Sequence, residues 1–72
     1  MYAIIKNSKI PQQQKVIVEA NDLGEKVYKL NEFISLDPLF KTLGRLEQDR
    51  LLKQSSIMFE YYEILKERIS AF

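Results

Sequence analysis

From Val16 onward the apolar positions fall at Val16, Ala20, Leu23, Val27, Leu30 and Ile34, spaced alternately four and three residues apart. That seam has a seven-residue period, the mark of a long helix packed side by side with another. Pro11 suits the first turn of such a helix, where its missing N–H costs nothing. Ser35-Leu36-Asp37-Pro38 reads as its end, so the pattern predicts a helix over 11–35, roughly 37 Å long at 1.5 Å per residue. On its other face Asp22 precedes Lys26 and Glu25 precedes Lys29 by four residues, the order that supports an exposed helical surface. Gly24 weakens the middle by roughly 1 kcal/mol relative to Ala.

Asp37 is a good N-cap and Pro38 a good first helical residue, which predicts a short helix over 38–43. Gly44 breaks the pattern again. With Gly44 as the next N-cap, Glu47 is placed to reach back as half of a capping box, opening a second long helix over 45–70. One apolar seam of that helix reads Leu51, Met58, Tyr62, Leu65, Ile69 and Phe72, with Ser55 as a polar interruption. A second line reads Ile57, Tyr61 and Ile64, with Leu52 and Phe59 beside it. One neighbouring helix cannot cover so wide a stripe, so this helix is expected to be buried from more than one side. The expected architecture is all-α: an antiparallel helical hairpin of two long helices with a short connecting helix, assembling as a symmetric homo-oligomer.

Composition pushes the same way. The chain has 72 residues, near the lower limit for one self-sufficient core, and so is expected to form one domain preceded by an arm over 1–9. It holds no cysteine and no histidine, which removes disulfides, thiolate chemistry and the commonest general base and metal ligand. Two glycines and two prolines disfavour a loop-rich or all-β fold. Asn7-Ser8 in the arm reads as a turn or helix cap. The apolar run Tyr2-Ala3-Ile4-Ile5 is too short for a signal peptide or a membrane span, so a cytoplasmic protein is expected.

Candidate chemistry is sparse. The glycines are isolated and form no phosphate loop. Glu60, Glu63 and Glu67 share a helical edge, yet carboxylate bundle sites usually include a Glu-x-x-His element that this chain lacks. No catalytic residue, metal or cofactor is expected. Arg45, Arg50 and Lys53 alternate with Glu47 and Asp49, giving pairs such as Arg45–Asp49 and Asp49–Lys53 rather than a basic stripe for long nucleic acid. Tyr61 and Tyr62 lie in the apolar stripe and read as packing residues. The net charge is +1, but Lys6, Lys9 and Lys15 precede the first carboxylate, Glu19. A locally basic end attracts small anions, although on charge alone a solvated terminus is the better account of it.

One set of residues is more distinctive. Glu32-Phe33-Ile34, Asp37-Pro38-Leu39-Phe40, Leu43, Glu47-Gln48, Leu51-Leu52, Gln54, Met58, Tyr61-Tyr62, Ile64-Leu65 and Arg68-Ile69 fall in one order. Upstream stand Gln13-Gln14-Lys15-Val16-Ile17, Glu19, Leu23, Lys26, Lys29 and Leu30. Over about residues 12–70 this pattern resembles a family of small all-helical bacteriophage anti-CBASS proteins. CBASS defence uses cyclic oligonucleotides to switch on a lethal effector. Members of that family act as sponges, assembling into compact homo-hexamers that hold the cyclic di- or trinucleotide without cleaving it.

The resemblance implies a non-enzyme whose partners are a cyclic oligonucleotide and further copies of itself, with pockets between subunits, acting in the cytoplasm of an infected bacterium. It implies Lys26 as a phosphate-contacting residue and Arg68 as a basic residue of a separate trinucleotide pocket. Gln12 and Lys15, at the start of the first long helix, are further ligand-binding candidates, since free N–H groups there favour anions. Each has a plain structural reading as well: Lys26 pairing with Asp22, and Arg68 sitting favourably near a helix C-terminus. In one respect the chain departs from the family pattern. A base-stacking aromatic is expected near the start of the first long helix, where Pro11, Gln12 and Gln13 stand. Either Tyr2 or Tyr28 replaces it, or the dinucleotide pocket is altered or absent while a trinucleotide pocket survives. The alternative function is a helical protein–protein interaction module that docks through Ile57–Leu65.

Overall fold

The computed structural model describes residues 9–72 and contains three helices: α1 (Pro11–Leu36), α2 (Leu39–Thr42) and α3 (Arg45–Ser70). The expected Asn7-Ser8 turn lies outside the described residues. Helix α1 starts from Ile10, whose carbonyl accepts the Gln14 N–H at 3.0 Å, and Pro11 occupies the first turn. Ile10, the N-cap, offers no side-chain cap of its own. The two long helices pack against each other as the backbone of the fold, and the molecule measures 46 × 17 × 15 Å. Their antiparallel sense shows in the side-chain bonds that cross between them. Ser55 bonds Asn31, while Tyr61, further along α3, bonds Glu19, further back along α1.

The buried core joins Ile17, Ala20, Leu23 and Val27 of α1 to Tyr62, Leu65 and Ile69 of α3, with Val16 and Met58 packed at its margin. Val27 and Leu65 are its largest fully buried side chains. The α1 seam therefore runs as expected from Ala20 to Val27 but shifts at its start, where Ile17 is buried and Val16 only half-buried. A straight helix drifts against a strict seven-residue repeat, so a seam read from sequence slides by a residue over several turns. Along α3, Leu51 and Met58 are half-buried, and Phe72, expected at the end of the seam, is 37% exposed.

The polar interruption at Ser55 has a partner. Its hydroxyl donates to Asn31 Oδ1 across the helix pair, so a half-buried polar site is satisfied rather than orphaned. This bond also fixes how the helices are aligned, since sliding either by one residue separates the two groups.

Asp37 organises the connection. Its N–H donates to Phe33 O at 3.2 Å and closes α1, while its Oδ1 accepts the Leu39 N–H at 2.9 Å and opens α2. Pro38 then stands before the helix rather than within it, one position from where the sequence pattern put it. Phe40 is buried and meets Phe33 edge-on, ring centres 6.1 Å apart and planes at 88°, a favourable aromatic geometry. Gln48 folds back over the turn, its Nε2 donating to Leu43 O at 2.8 Å.

Gly44 is the N-cap of α3, yet the capping box does not form. Glu47 pairs instead with Arg50 at 2.8 Å, a bond between two full charges that outcompetes one to a neutral backbone N–H. Among the expected surface pairs, Glu25–Lys29 forms at 2.9 Å and Arg45–Asp49 at 3.4 Å. Asp22–Lys26 and Asp49–Lys53 do not form among the described residues, Asp49 being taken by Arg45.

Much of the apolar stripe stays uncovered. Leu52, Ile57, Phe59, Tyr61 and Ile64 of α3 are exposed, as are Leu36, Leu39 and Leu46 around the connection. No helix of the described residues is long and apolar enough to cross a membrane.

Candidate functional site

Helical spacing puts Gln12, Lys15, Glu19, Asp22 and Lys26 on one face of α1, three and four residues apart. Opposite them on α3, Tyr61 and Arg68 are seven residues apart and share a face. Where those faces meet there is a groove of about 370 Å³, lined by Lys15, Val18, Glu19, Asp22, Leu23, Lys26 and Tyr61. Leu23 belongs to the core beneath, so the floor of the groove is fixed by the same packing that holds the hairpin together. Lys15 and Lys26 stand eleven residues, about three turns or 16 Å, apart along α1.

The electrostatics of the groove are mixed and specific. Glu19 accepts a hydrogen bond from the Tyr61 hydroxyl, which ties the two helices across the groove. That bond holds the Tyr61 pKa above its ordinary value, with desolvation and the Glu19 charge adding and the Arg68 charge opposing. The hydroxyl is therefore protonated and donating at neutral pH. Lys15 and Lys26 make no ion pair among the described residues. Two cations thus line a groove containing two carboxylates, one of them engaged by Tyr61. Cationic donors without an internal partner are the groups a phosphate oxygen binds most strongly.

The structure brings Lys15 and Lys26 to one groove, whereas Arg68, on the Tyr61 face of α3, is not among the described residues that line it. Gln12 is exposed one turn before Lys15 on the same face but does not line the groove. Of the two tyrosines considered as replacements for an aromatic near residues 11–13, Tyr2 lies outside the described residues. Tyr28 is half exposed elsewhere on α1 and does not line the groove.

Tyr61 is the residue that sequence reasoning missed. Its place between Ile57 and Ile64 marks it as packing, whereas the structure leaves it 43% exposed with its hydroxyl on Glu19. The available signal was its neighbour: Tyr62 sits on the core seam, so Tyr61, one residue or about 100° away, must point to the edge of the interface.

A second depression at the connection, about 500 Å³, is lined by Lys29, Glu32, Phe33, Leu36, Asp37 and Pro38. Lys29 is already paired with Glu25 there, and Asp37 is committed to the turn, so it offers a bound anion less. Among the described residues no cluster of carboxylates is arranged to hold a metal ion.

No curated protein and no solved structure matches the chain. The family model of the Sequestin family does, over residues 11–71, a span that takes in all three helices and every residue of the groove. On that match, with its all-helical hairpin, the chain belongs to the Sequestin family, whose name denotes sequestration rather than catalysis.

Proposed function

We propose that this protein is a phage-type anti-defence sponge that binds cyclic di- or trinucleotide second messengers without cleaving them and so keeps CBASS effectors from being activated. The observation that supports this most is the groove at the α1–α3 edge, in which Lys15 and Lys26 stand without internal ion pairs beside an exposed tyrosine. A cyclic oligonucleotide offers phosphates to cations, base faces to aromatic planes and base edges to polar groups. All three kinds of partner are present here: Lys15 and Lys26, Tyr61, and Glu19 with Asp22. Lys26 contacts phosphate in this reading, Lys15 assists it, and Gln12 reaches ligand from the helix start. Arg68 serves a separate, trinucleotide pocket. Mechanism is mass action: sites in excess of signal hold its free concentration below the effector's threshold.

Self-assembly belongs to the same proposal. Ile57, Phe59 and Ile64 lie exposed on one long helix, and in a symmetric assembly such a face is covered by its own counterpart. A homo-hexamer acting in the cytoplasm of the infected bacterium is the form the family resemblance implies. The same exposed face favours a second reading, a helical module that docks on another protein and has no small ligand.

Charge reversal separates the two. Calorimetric titration with cyclic di- and trinucleotides is expected to show Lys26→Glu and Arg68→Glu weakened by roughly tenfold or more, since each loses a charge-assisted bond. Sedimentation of both variants should match the wild type. Unchanged affinity in both, or loss of assembly in both, contradicts these site assignments. Apolar, salt-insensitive binding to a protein partner with no nucleotide affinity moves the interaction module into first place.

A further inference from the structure

We propose that Tyr61 is the stacking platform of the α1–α3 groove and sets its preference for a base-bearing ligand over a bare phosphate, with Glu19 as the residue that positions it. The inference rests on the sequestration reading and assigns a role that reading leaves open. Among the described residues that line the groove, Tyr61 is the one aromatic; the remainder are two lysines, two carboxylates, a valine and a leucine. It is also held in place. The Tyr61 hydroxyl donates to Glu19 on the opposite helix, 42 residues away in sequence, so the ring is braced at its tip as well as at its backbone.

That brace matters for recognition. A ring already fixed in the free protein loses little freedom when a base lies against it, so more of the stacking energy reaches the affinity. At 43% exposure the ring still has a face to offer, unlike Tyr62, which is 4% exposed in the core with Lys66 over its ring at 5.4 Å. Neighbouring charges complete the arrangement. Lys15 and Lys26 lie in the same groove, so a base against the ring has cations within reach of its phosphate. Stacking tolerates any base, because each has a π-face. Tyr61 therefore separates nucleotide from inorganic anion rather than one base from another.

Three variants test this: Tyr61→Leu, Tyr61→Phe and Glu19→Gln, each titrated with a cyclic dinucleotide, a cyclic trinucleotide and inorganic pyrophosphate. Stacking predicts that Tyr61→Leu loses about 10- to 100-fold in affinity for the cyclic nucleotides. Pyrophosphate binding should be unchanged. Glu19→Gln keeps an acceptor and should stay within about threefold of wild type, whereas Tyr61→Phe keeps the ring but loses the brace and should fall between it and Tyr61→Leu, about three- to tenfold weaker. In the wild-type complex, base protons should shift upfield and show NOEs to the Tyr61 ring, a signature that a purely structural tyrosine does not give.

Equal losses for pyrophosphate and nucleotide in Tyr61→Leu, or no NOE from the ring to a base, overturn the assignment. Lys26→Glu, measured in parallel, separates the two layers. If it weakens nucleotide binding while Tyr61→Leu does not, the platform fails and sequestration stands. If the wild type binds no cyclic nucleotide, both fall together.

Discussion

The two ends of the hairpin are built differently. At one end, residues 17–27 of α1 meet residues 62–69 of α3, and all seven members of the core cluster lie there. At the other, from residue 28 round the connection to residue 57, Phe40 alone is buried; the helices are held by half-buried apolar groups, the Asn31–Ser55 bond and a turn stapled by Asp37 and Gln48. The groove opens beside the packed end. A binding surface set against a close-packed core keeps its geometry without a ligand to hold it, which is the condition for preorganised recognition. The connection end, with Leu36, Leu39 and Leu46 all more than 60% exposed, gets its order from polar turn chemistry instead.

The largest effect should come from the packed end. Leu65→Ala removes a side chain that is 1% exposed and is expected to cost about 2–5 kcal/mol, read by urea denaturation. Leu36→Ala, at 76% exposure, should stay within about 0.5 kcal/mol at dilute concentration. Similar costs at the two positions would break the comparison. Next comes the polar clamp between the ends. Ser55→Ala leaves Asn31 without its partner and should cost about 1–2 kcal/mol. Replacing both groups, with Asn31→Leu added, should recover part of that loss, and a double variant worse than the single would show that the bond does not act as a pair.

The smallest effect should be a gain. Gly44 caps α3 with φ −59° and ψ 152°, an ordinary backbone conformation, and a Cβ there would meet nothing within 4 Å. Gly44→Ser should therefore stabilise by about 0.5–1 kcal/mol, through a side-chain cap and a less flexible unfolded chain. A loss of stability would mean that the turn needs the glycine for a reason its backbone angles do not reveal.

What sequence could and could not reveal follows from the range of each interaction. The two long helices were legible because a periodic seam states both length and direction, and Pro11, Asp37-Pro38 and Gly44 mark their ends. Outcomes decided by competition between equal partners were not. Glu47 had both the Gly44 backbone and Arg50 within reach and took Arg50; Asp49 took Arg45 rather than Lys53. Lys26 was legible as a candidate only through a family resemblance, since its spacing to Asp22 argued for a surface pair that does not form. Tyr61 was hidden because Ile57, Tyr61 and Ile64 have a spacing that fits core and rim alike. Only the rotation of α3 about its axis, set by Tyr62, Leu65 and Ile69, decides which of them faces inward.

The central claim is that the protein holds a cyclic oligonucleotide and leaves it intact. Incubating the purified full chain with excess cyclic di- and trinucleotides, removing free ligand by gel filtration, and heating the protein fraction tests it in one measurement. Release of unmodified cyclic nucleotide, identified by mass and absent when linear dinucleotides are used, is the predicted result. Recovery of linear products, or of no nucleotide at all, would contradict it.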